Sequence, residues 1–413
     1  MPPDNTIPTK IEKRLLQSLQ NRIKIGTIRS LTPKQSQQID FSSNDYLGLS
    51  QCTNQLSLVN STYNKYKENV VLGATGSRLL SGNQRYHTKL ETYLAKLHNR
   101  KYALLFNSGY DANLSVLSSL PCENDVVLFD ELCHNSLFTG YKLSRCFVNN
   151  HNFITFKHNN VNDLEKLLIQ YNNENRCIFI VLESVYSMDG DISPLSSICK
   201  IAQKYNAFII LDEAHALGIF GKNGTGMLSE ENLEQHPNIL CSVYTFGKAA
   251  GCHGAIVVCN TLVLKEYLIN YARPFIYSTA LPLHSVATVQ CAYTTITGEE
   301  GYKRRRKLHE LVTYFQREIS KFSSVKLINS PSPIQAIIIR GNERCLAIAK
   351  KLNQCGFDVY PIHAPTILAG SERIRIILHY HTSFVEVKSF INCLKFVIND
   401  IGADDNLALI SIL

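Results

Sequence analysis

Lys248 sits among small residues in Thr245-Phe246-Gly247-Lys248-Ala249-Ala250-Gly251, directly after an apolar run from Ile239 to Tyr244 that reads as a buried strand. Small neighbours let a flat ligand approach the backbone. Desolvation depresses an amine's pKa and frees its lone pair, so Lys248 is a candidate Schiff-base former. A second segment, Phe208 to Gly218, presents Asp212 at the end of another apolar run, with His215 three residues on. In open α/β sheets ligands bind at the carboxyl ends of strands. An aspartate there can pair with a protonated pyridine nitrogen or simply cap the next helix. Strand-Asp-x-x-His followed by strand-Thr-x-x-Lys would put an acid, an imidazole and an amine on one rim.

Further residues reach the same rim. Phe106 to Asn113 reads as a strand-turn-helix junction, and the backbone amides at Gly109 and Tyr110 suit a phosphate at a helix start. His134 follows the strand ending near Phe129 and could lie against a cofactor ring. Glu183 to Asp191 ends another strand and supplies Ser187, while Asp189-Gly190-Asp191 reads as a turn.

The elements that must hold these residues alternate. Tyr102 to Phe106, Val126 to Phe129, Phe153 to Phe156, Cys177 to Leu182, Ala207 to Leu211, Ile239 to Tyr244 and Ala255 to Val258 read as seven short buried strands. Helical stretches such as Leu164 to Tyr171 and Pro194 to Asn206 lie between them, which argues for a mainly parallel sheet covered by helices. Ile11 to Ile25 and His87 to His98 carry helical periodicity. From Leu283 a long helical region leads to strands near Ile334 to Ile339 and Arg373 to Ile377, interleaved with helices Cys345 to Gln354 and Val385 to Ile398. This predicts residues 1–50 as an amino-terminal helix and substrate-side segment, 51–290 as a large domain, and 291–413 as a small α+β domain. Gly402 to Leu413 reads as a loosely attached tail.

Composition narrows the class. With 413 residues, 45% apolar and 18% charged, the chain is an ordinary globular one. The net charge of +8 is mild. Its one basic run, Lys303 to Lys307, reads as a solvated helix face, without the interleaved aromatics that nucleic-acid binding would need. The 13 cysteines are scattered, with no Cys-x-x-Cys pair and no zinc spacing, and no apolar stretch reaches membrane-span length. These features point to a reducing, cytoplasmic setting without metal, membrane or nucleic acid.

The order glycine turn, His134, Ser187, Asp212-x-x-His215, Thr245-x-x-Lys248 and a late Arg373-x-Arg375 resembles the fold-type-I enzymes that use pyridoxal 5′-phosphate (PLP). Within them it resembles the α-oxoamine synthase family, from about Lys10 to Phe396. The most specific pieces are Ser42 to Leu49, Gly76 to Gly82, Ser187 to Asp191 and Asp212 to His215. The resemblance implies PLP on Lys248, Asp212 at the pyridine nitrogen, His134 on the ring face, and His215 and Ser187 on the ring-oxygen side. Thr245 with the backbone of Gly109 and Tyr110 would take the phosphate. Arg375 would grip a substrate carboxylate, and Thr366 and Arg29 would lie on the substrate side. It also implies a homodimer in which Thr279, with Ser278, serves the neighbouring site. The implied reaction is decarboxylative condensation of L-alanine with a pimeloyl thioester of CoA or acyl carrier protein. A member using glycine or serine with another acyl thioester, and a non-catalytic relative, are the alternatives. An aminotransferase would share the lysine and aspartate without needing the other motifs. Thr75 departs from the family pattern, which often has glycine there. So does Cys252-His253, of which His253 reads as a packed structural residue.

Overall fold

The computed structural model describes residues 9–25, 27–29, 31, 37–66, 72–150, 153–172, 176–323, 325–363, 367 and 370–410. Apolar runs that bury both faces set the central layer. In β3 (Val126–Asp130) and β5 (Ile178–Glu183) every residue is buried, as parallel strands sandwiched between helices require. Each buried Val, Ile or Leu in such a run contributes about 1.5–3 kcal/mol.

With β2 (Tyr102–Phe106), β4 (Ile154–Phe156), β6 (Phe208–Asp212), β7 (Ile239–Thr245) and β8 (Ala255–Cys259), these strands make a seven-stranded sheet of order β2-β8-β7-β6-β5-β3-β4. β8 runs antiparallel to both neighbours and every other pairing is parallel. The fold is therefore the mainly parallel α/β sheet expected, with one antiparallel strand that periodicity alone does not distinguish.

A second, antiparallel sheet of order β12-β13-β10-β9 comprises β9 (Lys326–Leu327), β10 (Ile334–Ile338), β12 (Tyr360–Ile362) and β13 (Arg373–Ile377). A two-residue strand near the amino terminus, β1 (Ile39–Asp40), pairs in parallel with β11 (Phe357–Asp358) and so ties the segment before Asn44 to the carboxyl-terminal part. The helix Leu283–Thr297 spans the position where a domain boundary is expected, at 290, and Gly298 separates it from the helix Glu299–Ile319.

One expectation is corrected. Arg304 and Arg305 are buried rather than solvated. Arg304 donates to the Leu47 carbonyl (2.8 Å) and Arg305 to the Ile296 carbonyl (2.7 Å), so the basic run pins its helix to the core. The last helix, Phe384–Ile410, runs on past Gly402.

Candidate active site

The carboxyl ends of β2, β3, β5, β6 and β7 meet on one edge of the large sheet. β2 passes into the helix Gly109–Ser119, where Ser108 accepts from the Asp111 amide on its hydroxyl (3.0 Å) and from the Ala112 amide on its carbonyl (3.0 Å). The helix itself offers no partner to the amides of Gly109 and Tyr110. A Cβ on Gly109 would lie 3.1 Å from Thr245 Cβ and 3.2 Å from its Oγ1, so a side chain there would crowd the end of β7. β3 leads to His134, the N-cap of the helix Asn135–Lys142. Glu183 and Asp212, the last residues of β5 and β6, are direct register partners. Lys248 follows β7 in a turn closed by the Gly251 amide on the Lys248 carbonyl (2.8 Å).

These ends enclose a cavity of about 140 Å³ lined by Gly109, Tyr110, Asn113, His134, Ser136, Glu183, Asp212, Ala214, His215, Thr245 and Lys248. Lys248 Nζ lies 2.6 Å from His215 Nε2. Burial pulls the amine's pKa down to about 8, against the charges of Asp212 and Glu183, while the Arg375 guanidinium pushes it the same way as burial. Burial, reinforced by Lys248, Arg375 and His134, holds the His215 pKa well below the ordinary histidine value, so the ring is neutral. Asp212 Oδ1 accepts from the Ala214 amide (2.8 Å) and Oδ2 from Asn113 Nδ2 (2.6 Å). Asn113 Nδ2 also reaches Ser136 Oγ (2.9 Å), which lies 2.7 Å from His134 Nδ1. Burial, aided by the Lys248 charge and opposed by Asp212, keeps His134 neutral as well. Glu183 is fully buried beside Asp212, and burial together with that neighbouring charge raises its pKa far above the carboxylate range.

A second wall comes from the antiparallel sheet. Arg375 Nε donates to the Ser187 carbonyl (2.7 Å) and one terminal nitrogen donates to Asn44 Oδ1 (3.0 Å). Tyr46, wholly buried, places its hydroxyl 2.6 Å from His215 Nδ1 and 3.1 Å from Asn44 Oδ1.

The structure thus brings Gly109, Tyr110, His134, Asp212, His215, Thr245 and Lys248 into one cavity, with Ser187 and Arg375 joined at its side. Thr279 is exposed and lies elsewhere, its carbonyl accepting from Asn107 Nδ2 (2.8 Å). Arg29 is exposed in the amino-terminal segment. Thr366 lies outside the described residues. His253 is exposed, which corrects the packed role expected of it. Sequence reasoning assigned no role to Asn113, Ser136, Glu183, Asn44 or Tyr46. Asn113 lies one turn into the helix Gly109–Ser119, whose start the sequence marks, whereas Ser136 is the second residue of the helix Asn135–Lys142, a start that sequence reasoning does not mark. No cluster of His, Cys, Asp and Glu among the described residues could hold a metal ion.

The donor set suits PLP: a desolvated amine for its aldehyde, a carboxylate for its ring nitrogen, imidazoles, and two helix-start amides behind a side-chain-free Gly109 for its phosphate. A buried amine and acid on the carboxyl edge of this sheet define a fold-type-I PLP-dependent enzyme. The family "Aminotransferase class I and II" matches residues 36–388, and the chain belongs to it. The chain is also similar to particular members. An Emericella nidulans protein named 8-amino-7-oxononanoate synthase is 35% identical over 400 residues, covering 92% of this chain and 94% of that one. A Neisseria meningitidis serogroup A protein provisionally given the same name is 38% identical over 368 residues, covering 89% and 93%. Among solved structures, the 8-amino-7-oxononanoate synthase of Francisella tularensis superposes with a TM-score of 0.73 at 27% identity, covering 88% and 99%. The serine palmitoyltransferase of Sphingomonas wittichii superposes at 0.84 with 25% identity, covering 96% and 100%.

Proposed function

We propose that the chain condenses L-alanine with a pimeloyl thioester, of CoA or of acyl carrier protein, to give 8-amino-7-oxononanoate, CO2 and the free thiol in biotin biosynthesis. The observation that carries this reading is the buried Lys248 amine, bonded to a neutral imidazole and facing Asp212 in the cavity. Lys248, Asp212, His134, His215, Ser187, Thr245 and the amides of Gly109 and Tyr110 would hold PLP, which supplies an electron sink for negative charge at the amino acid's α-carbon.

The chain's own groups do the rest. Arg375, already aimed by Ser187 and Asn44, binds the alanine carboxylate as a planar fork. With its pKa brought to about 8, Lys248 Nζ gives up its proton far more readily than an ordinary lysine and serves as base for the α-proton and as its donor afterwards. His215 Nε2 receives the amine's hydrogen bond and fixes its direction. The buried walls exclude water while negative charge exists at the α-carbon. Relatives named 8-amino-7-oxononanoate synthase at 35% and 38% identity support the alanine and pimeloyl assignment.

The same reading carries a cytoplasmic homodimer, with half-buried Ser278 and exposed Thr279 turned to the neighbouring site and Arg29 and Thr366 on the substrate side. No helix among the described residues is long and apolar enough to cross a membrane. The test is thiol release from pimeloyl-CoA by the PLP-loaded protein with L-alanine, glycine or L-serine, and Lys248→Ala as control. Release that requires L-alanine and vanishes in the variant is expected. Preference for glycine or serine would move the protein to a sister activity, and no thiol release with any of them would overturn the acyltransferase reading for this thioester.

A further inference from the structure

His158 lies outside the cavity, on the loop after β4, and both of its ring nitrogens meet carboxylates. Nδ1 is 2.9 Å from Asp130 Oδ1 and Nε2 is 2.7 Å from Asp191 Oδ2. Carboxylate oxygens only accept, so both nitrogens must carry hydrogen and the ring is an imidazolium. Asp130 ends β3 and is buried; its oxygens also accept from the amides of Leu132 and Asn159 (both 2.9 Å). Asn159 Nδ2 shares Asp191 Oδ2 (2.8 Å) with the imidazole. The other groups facing this loop are Glu131, which accepts from the His158 amide (3.1 Å) and from Lys157 Nζ (2.9 Å); Asp163, which accepts from the Lys157 amide (2.8 Å); and the Tyr186 ring, edge-on at 4.4 Å.

Asp191 closes the turn that begins at Tyr186, through the Tyr186 amide on the Asp191 carbonyl (3.0 Å) and the Gly190 amide on the Tyr186 carbonyl (2.8 Å). That turn is what Arg375 leans on. Its Ser187 carbonyl accepts from Arg375 Nε, Asp189 forms an ion pair with Arg373, and its Gly190 carbonyl accepts from Ser330 Oγ (2.8 Å). These three anchors all lead to the antiparallel sheet and the loop entering β10. His158 supplies the opposing tie, to the end of the strand that carries His134.

We propose that His158, bridged between Asp130 and Asp191, is a positioning residue that holds the Tyr186–Asp191 turn against Arg375 and so tightens the grip on the substrate's carboxylate. The proposal rests on the reading of Arg375 as the carboxylate ligand. Burial alone would lower the His158 pKa, but the bonds to Asp130 and Asp191 prevail and raise it to about 9. A raised histidine pKa gives a tie that is complete below the unfolded value near 6.5 and is lost as pH rises through about 9.

The experiment uses full-length, PLP-loaded protein and compares His158→Gln with wild type. The quantity read is the ratio of their L-alanine KM values across pH, in which Lys248 and the amino acid's own amine cancel. A ratio of about tenfold at pH 7, falling toward unity above pH 9 while the thioester KM stays unchanged, is expected. A ratio independent of pH, or equal losses for both substrates, would mean a merely structural residue and overturn the proposal. If His158→Gln does not fold, Asp191→Asn replaces it. Should no thiol be released at all, the same ratio comes from calorimetric Kd values for the tightest binder among L-alanine, glycine and L-serine. Failure of the acyl-transfer reading is thereby separated from failure of this one. Nitrogen-15 NMR gives a readout independent of any substrate: His158 must be doubly protonated at pH 8, and a neutral ring there would sink the idea.

Discussion

The hydrogen bond between Lys248 Nζ and His215 Nε2, 2.6 Å long, has its direction set from the far end of a chain that finishes at Arg375. Arg375 can only donate, and it does so to Asn44 Oδ1, which can only accept. Tyr46 must therefore donate its hydroxyl hydrogen to that same oxygen and accept from His215 Nδ1. His215 is left with its hydrogen on Nδ1 and a lone pair on Nε2, aimed at the amine.

Tyr46→Phe keeps the packing and removes the link. The His215 Nδ1 hydrogen then loses its acceptor in a buried site, at a cost of about 1–3 kcal/mol. Nitrogen-15 NMR should show the Nδ1–H tautomer alone in the wild type and a mixture with Nε2–H in the variant, with activity falling in step. A variant with an unchanged tautomer and unchanged stability would break the chain of inference.

Lys248 should stand apart from the other lysines in its reactivity. With burial lowering its pKa to about 8, modification of the cofactor-free protein by an acylating reagent should rise through pH 8, against about 10.4 for an ordinary lysine. Asp212 raises this pKa, so Asp212→Asn should move the midpoint lower still. Peptide mapping of the labelled lysine across pH gives the curve, and a midpoint near 10 would show that the amine is not desolvated.

What the sequence made legible, and what it hid, follows from range. The strands ending at Asp212 and Thr245 announce themselves as continuous apolar runs, and the chemistry-bearing residues lie at their ends, so Lys248, Asp212, His215 and His134 were readable locally. Asn113 and Tyr46 were not, because each acts through a partner far off in sequence: Asn113 meets Asp212 across 99 residues and Tyr46 meets His215 across 169. Asp189 and Asp191 read as a turn, and they do form one, yet each carboxylate also has a cationic partner on another element, Arg373 and His158. Arg304 and Arg305 misled for the same reason: a charge run looks solvated until the carbonyls that accept from it are in place.

Thr75 should be replaceable with profit. It has φ +57°, a left-handed conformation that crowds a β-branched side chain, and it is exposed. Thr75→Gly removes a strain of about 1–2 kcal/mol and gives back part of it as chain entropy. The net expectation is a gain of roughly 0.5–1 kcal/mol in urea unfolding. Loss of stability would mean that the Thr75 Oγ1 bond to the Ala74 carbonyl (2.8 Å) matters more than the backbone angle.

Gly190 tests whether the turn under Arg375 is held as tightly as its contacts imply. Its φ is +73°, and a Cβ there would meet the Ile334 carbonyl oxygen and the hydroxyls of Ser330 and Ser332, all well inside 3.0 Å. Gly356, with φ +89° and nothing within 4 Å of where a Cβ would stand, isolates the backbone part of the cost. Gly356→Ala should lose about 1–2 kcal/mol, whereas Gly190→Ala should add about 1–3 kcal/mol of overpacking on top. The difference between the two variants measures how far the turn can yield. Because Ser187 travels with that turn, the proposed role of Arg375 as carboxylate ligand predicts that Gly190→Ala also weakens L-alanine binding while Gly356→Ala leaves it intact. Equal effects of the two variants on both stability and alanine binding would show that the turn moves freely and does not aim the guanidinium.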